Sequence, residues 1–122
     1  MKDKSVLICE DDEGIIDVAQ IVLEEMGYTV IVQNDSTNIF ARIEEVQPHL
    51  ILLDLWMPGL SGAEITRRLK ADARTQFIPI IIMSANRDTA RIAQEAGADA
   101  FLAKPFDISA LEEVVASHLR AT

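Results

Sequence analysis

Acidic side chains gather where two short apolar runs end. Glu10-Asp11-Asp12-Glu13 follows Val6–Cys9, and Asp54 follows Leu50–Leu53. Ser84 follows a further run, Ile78–Met83, and Lys104-Pro105 follows Phe101–Ala103. Three or more carboxylates held together must be neutralised, or they destabilise the fold that holds them. A hard divalent cation bound by oxygen ligands would neutralise them. Mg²⁺ suits one or two direct carboxylates, retained waters and a phosphate oxygen. Lys104 supplies a fixed positive charge and Ser84 a hydroxyl donor. Such parts suit a transferring phosphoryl group, whose stabilisation is mainly positioning and charge neutralisation. One carboxylate could itself be the nucleophile, because aspartyl-phosphate formation is available to Asp.

Each of these residues also has a plainer role. Acids after a first strand cap the next helix and complement its dipole. A lone serine after a strand is a turn or cap residue, and a lone lysine is a solvated charge. Asp54 fits its plain role least well, because it lies between Leu53 and Leu55-Trp56, an apolar setting for a carboxylate without a partner. The joint placement is what points to chemistry.

That placement depends on the elements that carry the residues. Five apolar runs, Val6–Cys9, Val30–Val32, Leu50–Leu53, Ile78–Met83 and Phe101–Ala103, read as strands. The first, third and fourth lack strict alternation, so they are expected to be buried on both faces. Between them lie helical patterns. Ile15, Ala19, Val22, Leu23 and Met26 form a stripe closed by Gly27. Residues Ser36 to Val46 form a second helix, with Ile39, Ile43 and Val46 inward. Ser61-Gly62-Ala63-Glu64 has capping-box spacing and opens a third, carrying Ile65 and Leu69. A fourth spans about Asp88 to Ala96. Asp107 caps a fifth, with Leu111, Val114, Val115 and Leu119 apolar. Strand and helix alternating five times imply a parallel sheet with helices on both faces. Ligands of such sheets bind beyond the carboxyl ends of the strands. All the residues singled out fall there, while the second strand offers nothing comparable.

Composition narrows the function classes. The 122 residues fit one domain over 1–122, with 49% apolar side chains and 25% charged ones. The net charge of −9 repels phosphate backbones, so direct nucleic-acid binding is not expected. The single cysteine, Cys9, lies in an apolar run and reads as a small buried hydrophobe. No signal-peptide h-region and no bilayer-length apolar run is present, so a cytoplasmic chain without membrane insertion is expected. No glycine-rich loop follows the first strand, which counts against nucleotide or flavin binding.

Four motifs occur in order: Ile8-Cys9-Glu10-Asp11-Asp12-Glu13, then Leu53-Asp54-Leu55-Trp56-Met57-Pro58-Gly59 with Ser61-Gly62, then Pro79-Ile80-Ile81-Ile82-Met83-Ser84-Ala85, and Gly97-Ala98-Asp99-Ala100-Phe101-Leu102-Ala103-Lys104-Pro105-Phe106. With them the chain resembles the receiver domains of two-component response regulators over essentially its whole length. The resemblance implies a flavodoxin-like α/β fold, a doubly wound five-stranded parallel sheet of order 2-1-3-4-5. It implies Asp54 as the phosphoacceptor and Mg²⁺, with Mn²⁺ as a substitute, as the cofactor. Asp11 and Asp54 would be direct ligands, Glu10 would act through water, and the Trp56 backbone carbonyl would be a further ligand. Ser84 would hydrogen-bond the phosphoryl group, Lys104 would neutralise it, and Lys104-Pro105 would be a cis peptide. Phe101 would be the aromatic switch coupled to Ser84, half-buried between switch and core roles. Trp56 and Asn86 would modulate hydrolysis, and Asp12 would be a flanking or capping acid.

The implied partners are a histidine kinase or histidine phosphotransfer protein upstream. Downstream, a protein or output domain would read the surface of the fourth helix, fifth strand and fifth helix. The chain would not be an enzyme beyond self-catalysed phosphoryl transfer and autodephosphorylation. Two other classes compete with this reading. A Mg²⁺-dependent phosphohydrolase with an Asp nucleophile commonly places a second acid two residues further on, where this chain has Trp56. A phosphorylation-independent interaction module would keep the fold without needing the full set of site residues.

Overall fold

The Ile-, Val- and Leu-rich runs form the centre of the molecule. The computed structural model describes residues 4–86 and 89–119. Its strands are β1 (Ser5–Cys9), β2 (Thr29–Gln33), β3 (Leu50–Asp54), β4 (Ile80–Ser84) and β5 (Ala100–Ala103). All pair in parallel, in the order β2-β1-β3-β4-β5. The helices between and after them are α1 (Glu13–Glu25), α2 (Ile39–Val46), α3 (Gly62–Ala71), α4 (Ala90–Ala96) and α5 (Ile108–Leu119). This is the doubly wound, flavodoxin-like arrangement expected from the sequence.

The strand side chains divide cleanly between two cores, because successive residues of a strand face opposite ways. Leu7, Cys9, Ile51, Leu53, Ile80 and Ile82 pack with Ile39 and Ile43 of α2, Ile65 and Leu69 of α3, and Ala93 of α4. Val6, Ile8, Leu50, Leu52, Ile81 and Met83 pack with Ala19 and Leu23 of α1 and Leu111 and Val115 of α5. Every residue of β3 and β4 is buried. That is why these strands read as unbroken apolar runs.

Two element starts shift by two or more residues from the sequence reading, and one helix stripe turns. β4 begins at Ile80 instead of Ile78, since Pro79 has no N–H to give a ladder and the Ile78 N–H is taken by the Thr75 carbonyl at 3.0 Å. α2 begins at Ile39 instead of Ser36. The Ser36 hydroxyl is committed to a distant loop, and Asn38 stands at φ +59° ahead of the helix. In α1 the inward stripe runs through Ile16, Ala19 and Leu23, leaving Ile15 half-buried. The expected start of α4 at Asp88 lies outside the described residues. Asp12 caps α1 as anticipated, its carboxylate accepting from the Gly14 and Ile15 N–H groups at 2.9 and 3.2 Å. Ser61 likewise caps α3 through the Glu64 N–H at 3.2 Å, but Glu64 turns its own carboxylate to Arg67 and Arg68 instead of closing the box.

The burial of Ile16 and the half-exposure of Ile15 give a direct test of the α1 register. Ile16→Ala should cost about 2–4 kcal/mol of stability, as expected for a buried isoleucine, and Ile15→Ala under about 1.5 kcal/mol. Equal losses in urea denaturation would refute the register.

Candidate functional site

The carboxyl ends of the strands bring the chemistry together, and strand parity decides which side chains meet. The even-numbered residues of β1, β3 and β5 face the α1/α5 side, as Val6, Ile8, Leu50, Leu52, Ala100 and Leu102 show. Glu10, Asp54 and Lys104 continue those same rows. Cys9 lies opposite Leu53 in the sheet, which brings the next residues, Glu10 and Asp54, side by side. Lys104 comes from two strands away, about 10 Å at ordinary strand spacing, so only a long side chain crosses the gap. Its Nζ donates to Glu10 Oε1 at 3.0 Å and to Asp54 Oδ1 at 3.1 Å.

This ion-pair cluster is almost dry. Glu10 is 0% exposed and Asp54 4% exposed. The second Glu10 oxygen accepts from the Asp12 N–H at 3.2 Å, and the Asp54 carboxylate accepts from the Trp56 N–H. Burial raises the pKa of both carboxyls above the usual range, against the opposing pull of Lys104. The negative charge of Asp11 raises Asp54 further, and Asp54 does the same to Glu10. Burial alone would lower the Lys104 pKa, but its hydrogen bonds to Glu10 and Asp54 outweigh that and raise it.

Asp11 stands exposed at the rim. Glu10, Asp11 and Asp54 each offer a carboxylate oxygen, all within 4.8 Å of one another. Three carboxylates converge where one ammonium pairs two of them, and every side-chain donor to a cation is oxygen. That set fits a hard divalent cation such as Mg²⁺ and does not favour a soft one. Cys9, next in the chain, is no alternative ligand. It lies on the opposite face in the core, and burial pushes its thiol up to about 12.

The remaining candidates surround the cluster without joining it. Ser84 is buried at the end of β4; its Oγ accepts from the Asn86 N–H at 3.3 Å, and its carbonyl accepts from the Lys104 N–H at 2.8 Å. Ile82 lies opposite Phe101, and Ser84 opposite Ala103. By parity Ser84 and Phe101 therefore share the α3/α4 face, one diagonal step apart. Phe101 is half-buried, as expected, and packs against that core. Trp56 is 59% exposed and Asn86 is exposed. The Lys104-Pro105 peptide is cis.

One positional requirement escaped the sequence reading, although Gly62 had been quoted in a motif. A Cβ on Gly62 would lie 2.5 Å from the Asp54 carbonyl oxygen and 3.0 Å from Leu55 Cα, and the Gly62 N–H donates to the Leu55 carbonyl at 2.8 Å. The first turn of α3 thus rests directly on the Asp54 backbone. The available signal was the glycine placed directly after a helix cap.

The response regulator receiver domain profile matches residues 6–116. The chain is 34% identical to the DNA-binding response regulator MtrA of Mycolicibacterium paratuberculosis, over 94% of this chain and 51% of that protein. It is 37% identical to the phosphate regulon transcriptional regulatory protein PhoB of Pseudomonas aeruginosa, over 100% of this chain and 54% of that protein. The chain therefore spans about half the length of these curated relatives. Among solved structures, the receiver domain of NtrX from Brucella abortus superposes with a TM-score of 0.86 at 27% identity, covering 96% of this chain and 99% of that one. No helix among the described residues is long and apolar enough to cross a membrane.

The charge balance of the cluster makes a stability prediction with a definite sign. A carboxyl whose folded pKa is raised opposes folding above that pKa, and the penalty is relieved as pH falls through it. Asp54→Asn should therefore raise the melting temperature of the metal-free protein by a few degrees, about 1 kcal/mol, at pH 8. The advantage should shrink as pH falls through the raised Asp54 pKa and wild type protonates. Lys104→Met leaves two buried acids without a counter-ion and should cost about 3 kcal/mol. Calorimetry in EDTA from pH 8 downward checks all three; an Asp54→Asn protein that melts below wild type would contradict the charge argument.

Proposed function

The chain belongs to the response regulator receiver domain family of two-component systems, and we propose that it accepts a phosphoryl group on Asp54. The observation that carries this reading is the Lys104 ammonium held 3.0 and 3.1 Å from the Glu10 and Asp54 carboxylates, beside the exposed Asp11. The donor in this reading is a histidine kinase, a histidine phosphotransfer protein or a small acyl phosphate. With a phosphohistidine, an Asp54 oxygen attacks phosphorus in line. An O–P bond forms as the P–N bond breaks, and the released imidazole nitrogen takes up a proton from solvent.

Glu10, Asp11, Asp54 and the Trp56 backbone carbonyl would hold Mg²⁺, or Mn²⁺ in its place. When bound, the cation supplies charge neutralisation at the phosphoryl oxygens. Lys104 is already hydrogen-bonded to Asp54 Oδ1, so it can pass that contact to the phosphoryl group while keeping Glu10. The Ser84 oxygen is an acceptor toward Asn86 N–H, which leaves its hydroxyl proton to donate to a phosphoryl oxygen. Drawn toward the phosphoryl group, Ser84 would free space that Phe101 can enter from the same face. The change is a population shift between two packings. It would alter the surface formed by α4, β5 and α5 that a downstream protein or output domain reads.

In this reading residues 1–122 form a single receiver domain, cytoplasmic like its kinase partner. Its chemistry is limited to its own phosphorylation and autodephosphorylation. MtrA is named as DNA-binding and PhoB as a transcriptional regulator. Any such output would come through a separate domain, because a charge of −9 disfavours contact of this one with a phosphate backbone.

Intact-mass measurement after incubation with a small acyl-phosphate donor tests the reading. A gain of one phosphoryl group that needs Mg²⁺ and disappears in Asp54→Asn is expected; no adduct in wild type would leave a phosphorylation-independent interaction module. A second expectation concerns lifetime. The Trp56 indole shields the acyl phosphate from water, so Trp56→Asn should hydrolyse several-fold faster, and an unchanged or slower rate would remove that role. Asn86, on the other side of Ser84, is the second residue assigned an influence on hydrolysis.

A further inference from the structure

The strand end that carries no charged chemistry, that of β2, leads to a side chain tied to the site's loop. Ser36 is buried, although it lies in the connection between β2 and α2. Its Oγ donates to the Pro58 carbonyl at 2.8 Å and accepts from the Leu60 N–H at 2.7 Å. The Ser36 N–H also reaches the Pro58 carbonyl, at 3.4 Å. Between those two contacts sits Gly59, at φ +95°, where a Cβ would lie 1.9 Å from Ser36 Oγ. The loop is shaped around this hydroxyl.

The same loop carries Trp56 directly beside the acceptor. At its base the Leu55 carbonyl accepts from the Gly62 N–H, and the Leu55 N–H donates to the Met83 carbonyl at 2.9 Å. Residues 56–60 receive only two side-chain hydrogen-bonding partners among the described residues. The Asp54 carboxylate takes the Trp56 N–H, and Ser36 takes Pro58 and Leu60. The loop is therefore fixed at one end by the acceptor and at the other by Ser36.

We propose that Ser36 is a positioning residue, which holds Pro58 and Leu60 so that the Trp56 backbone stands at a fixed place beside Asp54 and thereby sets the site's affinity for a divalent cation. This rests on the reading of Asp54 and its neighbours as a Mg²⁺-dependent phosphoacceptor. Groups that orient a ligand from behind are typically worth tenfold to a hundredfold in metal affinity. The serine lies on the connection entering α2, so the start of that helix is tied by the same hydroxyl to the loop beside the acceptor.

Trp56 is the chain's single tryptophan, so its fluorescence reports on this loop without any label. Mg²⁺ is titrated into wild type, Ser36→Ala and Ser36→Thr, following Trp56 emission, and each protein is melted in EDTA. Thr75→Val serves as the control, since the Thr75 hydroxyl ties the α3 end to the Leu69 carbonyl at 2.7 Å, far along the chain from the site loop. Ser36→Ala should weaken Mg²⁺ binding about tenfold. Ser36→Thr, which keeps the hydroxyl, should bind within a few-fold of wild type. Thr75→Val should lower the melting temperature and leave Mg²⁺ affinity alone. If Ser36→Ala does not fold, Ser36→Cys, a weaker partner of similar size, carries the same comparison. A Mg²⁺ affinity that is unchanged by loss of the hydroxyl, with only the melting temperature reduced, would overturn the proposal. Wild type that binds Mg²⁺ yet takes no phosphoryl group would instead retire the acceptor reading and leave the Ser36 comparison standing.

Discussion

Two carboxylates and one ammonium, packed away from water at the rim of the sheet, set the terms for everything around them. Taking charges out of water is costly, and mutual attraction offsets that only where geometry is good and the remaining lone pairs are used. Here Lys104 bridges Glu10 and Asp54, and backbone N–H groups of Asp12 and Trp56 take further oxygen lone pairs. The compensation stops short of neutrality, because one ammonium faces two carboxylates and Asp11 adds a third. The site is thus held in electrostatic imbalance by the rest of the fold, ready to gain from an incoming cation. A protein whose only task was stability would have little reason to keep such a cluster.

The imbalance is tolerable because the scaffold beneath it is stiff. β1, β3 and β4 are covered on both faces, and the two cores separate by strand parity with no mixing. That parity sends Glu10, Asp54 and Lys104 to one side and Ser84 with Phe101 to the other. The charged cluster and the Ser84–Phe101 pair therefore continue side-chain rows of opposite faces of a single sheet. The Ser84 carbonyl accepts the Lys104 N–H, so the backbones of the two groups are joined by a hydrogen bond.

Much of this was readable in the sequence for a physical reason. Parallel strands buried twice over appear as unbroken apolar runs, so their ends are sharp, and the residues just past them can be named. Periodicity was less sure where two apolar residues adjoin, as at Ile15-Ile16, because either can begin the inward stripe. The Ser36 contacts were hidden for a different reason. Its partners are the Pro58 carbonyl and the Leu60 N–H, backbone atoms that no residue type announces, and a serine ahead of a helical pattern looks like an ordinary cap. Gly62 likewise matters for an atom it lacks. Side chains that act by charge show in a sequence, whereas those that act by fit to a backbone do not.

The contact of Gly62 with the Asp54 backbone bears on access. With α3 resting on its main chain and Lys104 on its side chain, Asp54 has no reach of its own. In the proposed function, the donor must be brought to a carboxylate that is almost fully shielded. Under the proposal that Asp54 is the acceptor, its fixed position moves the burden of selectivity outward. Trp56, two residues along the chain and 59% exposed, is a bulky side chain placed to bear on admission. On the proposed reading, two chains with identical charged clusters would differ in which donors they admit through residues that never touch phosphorus.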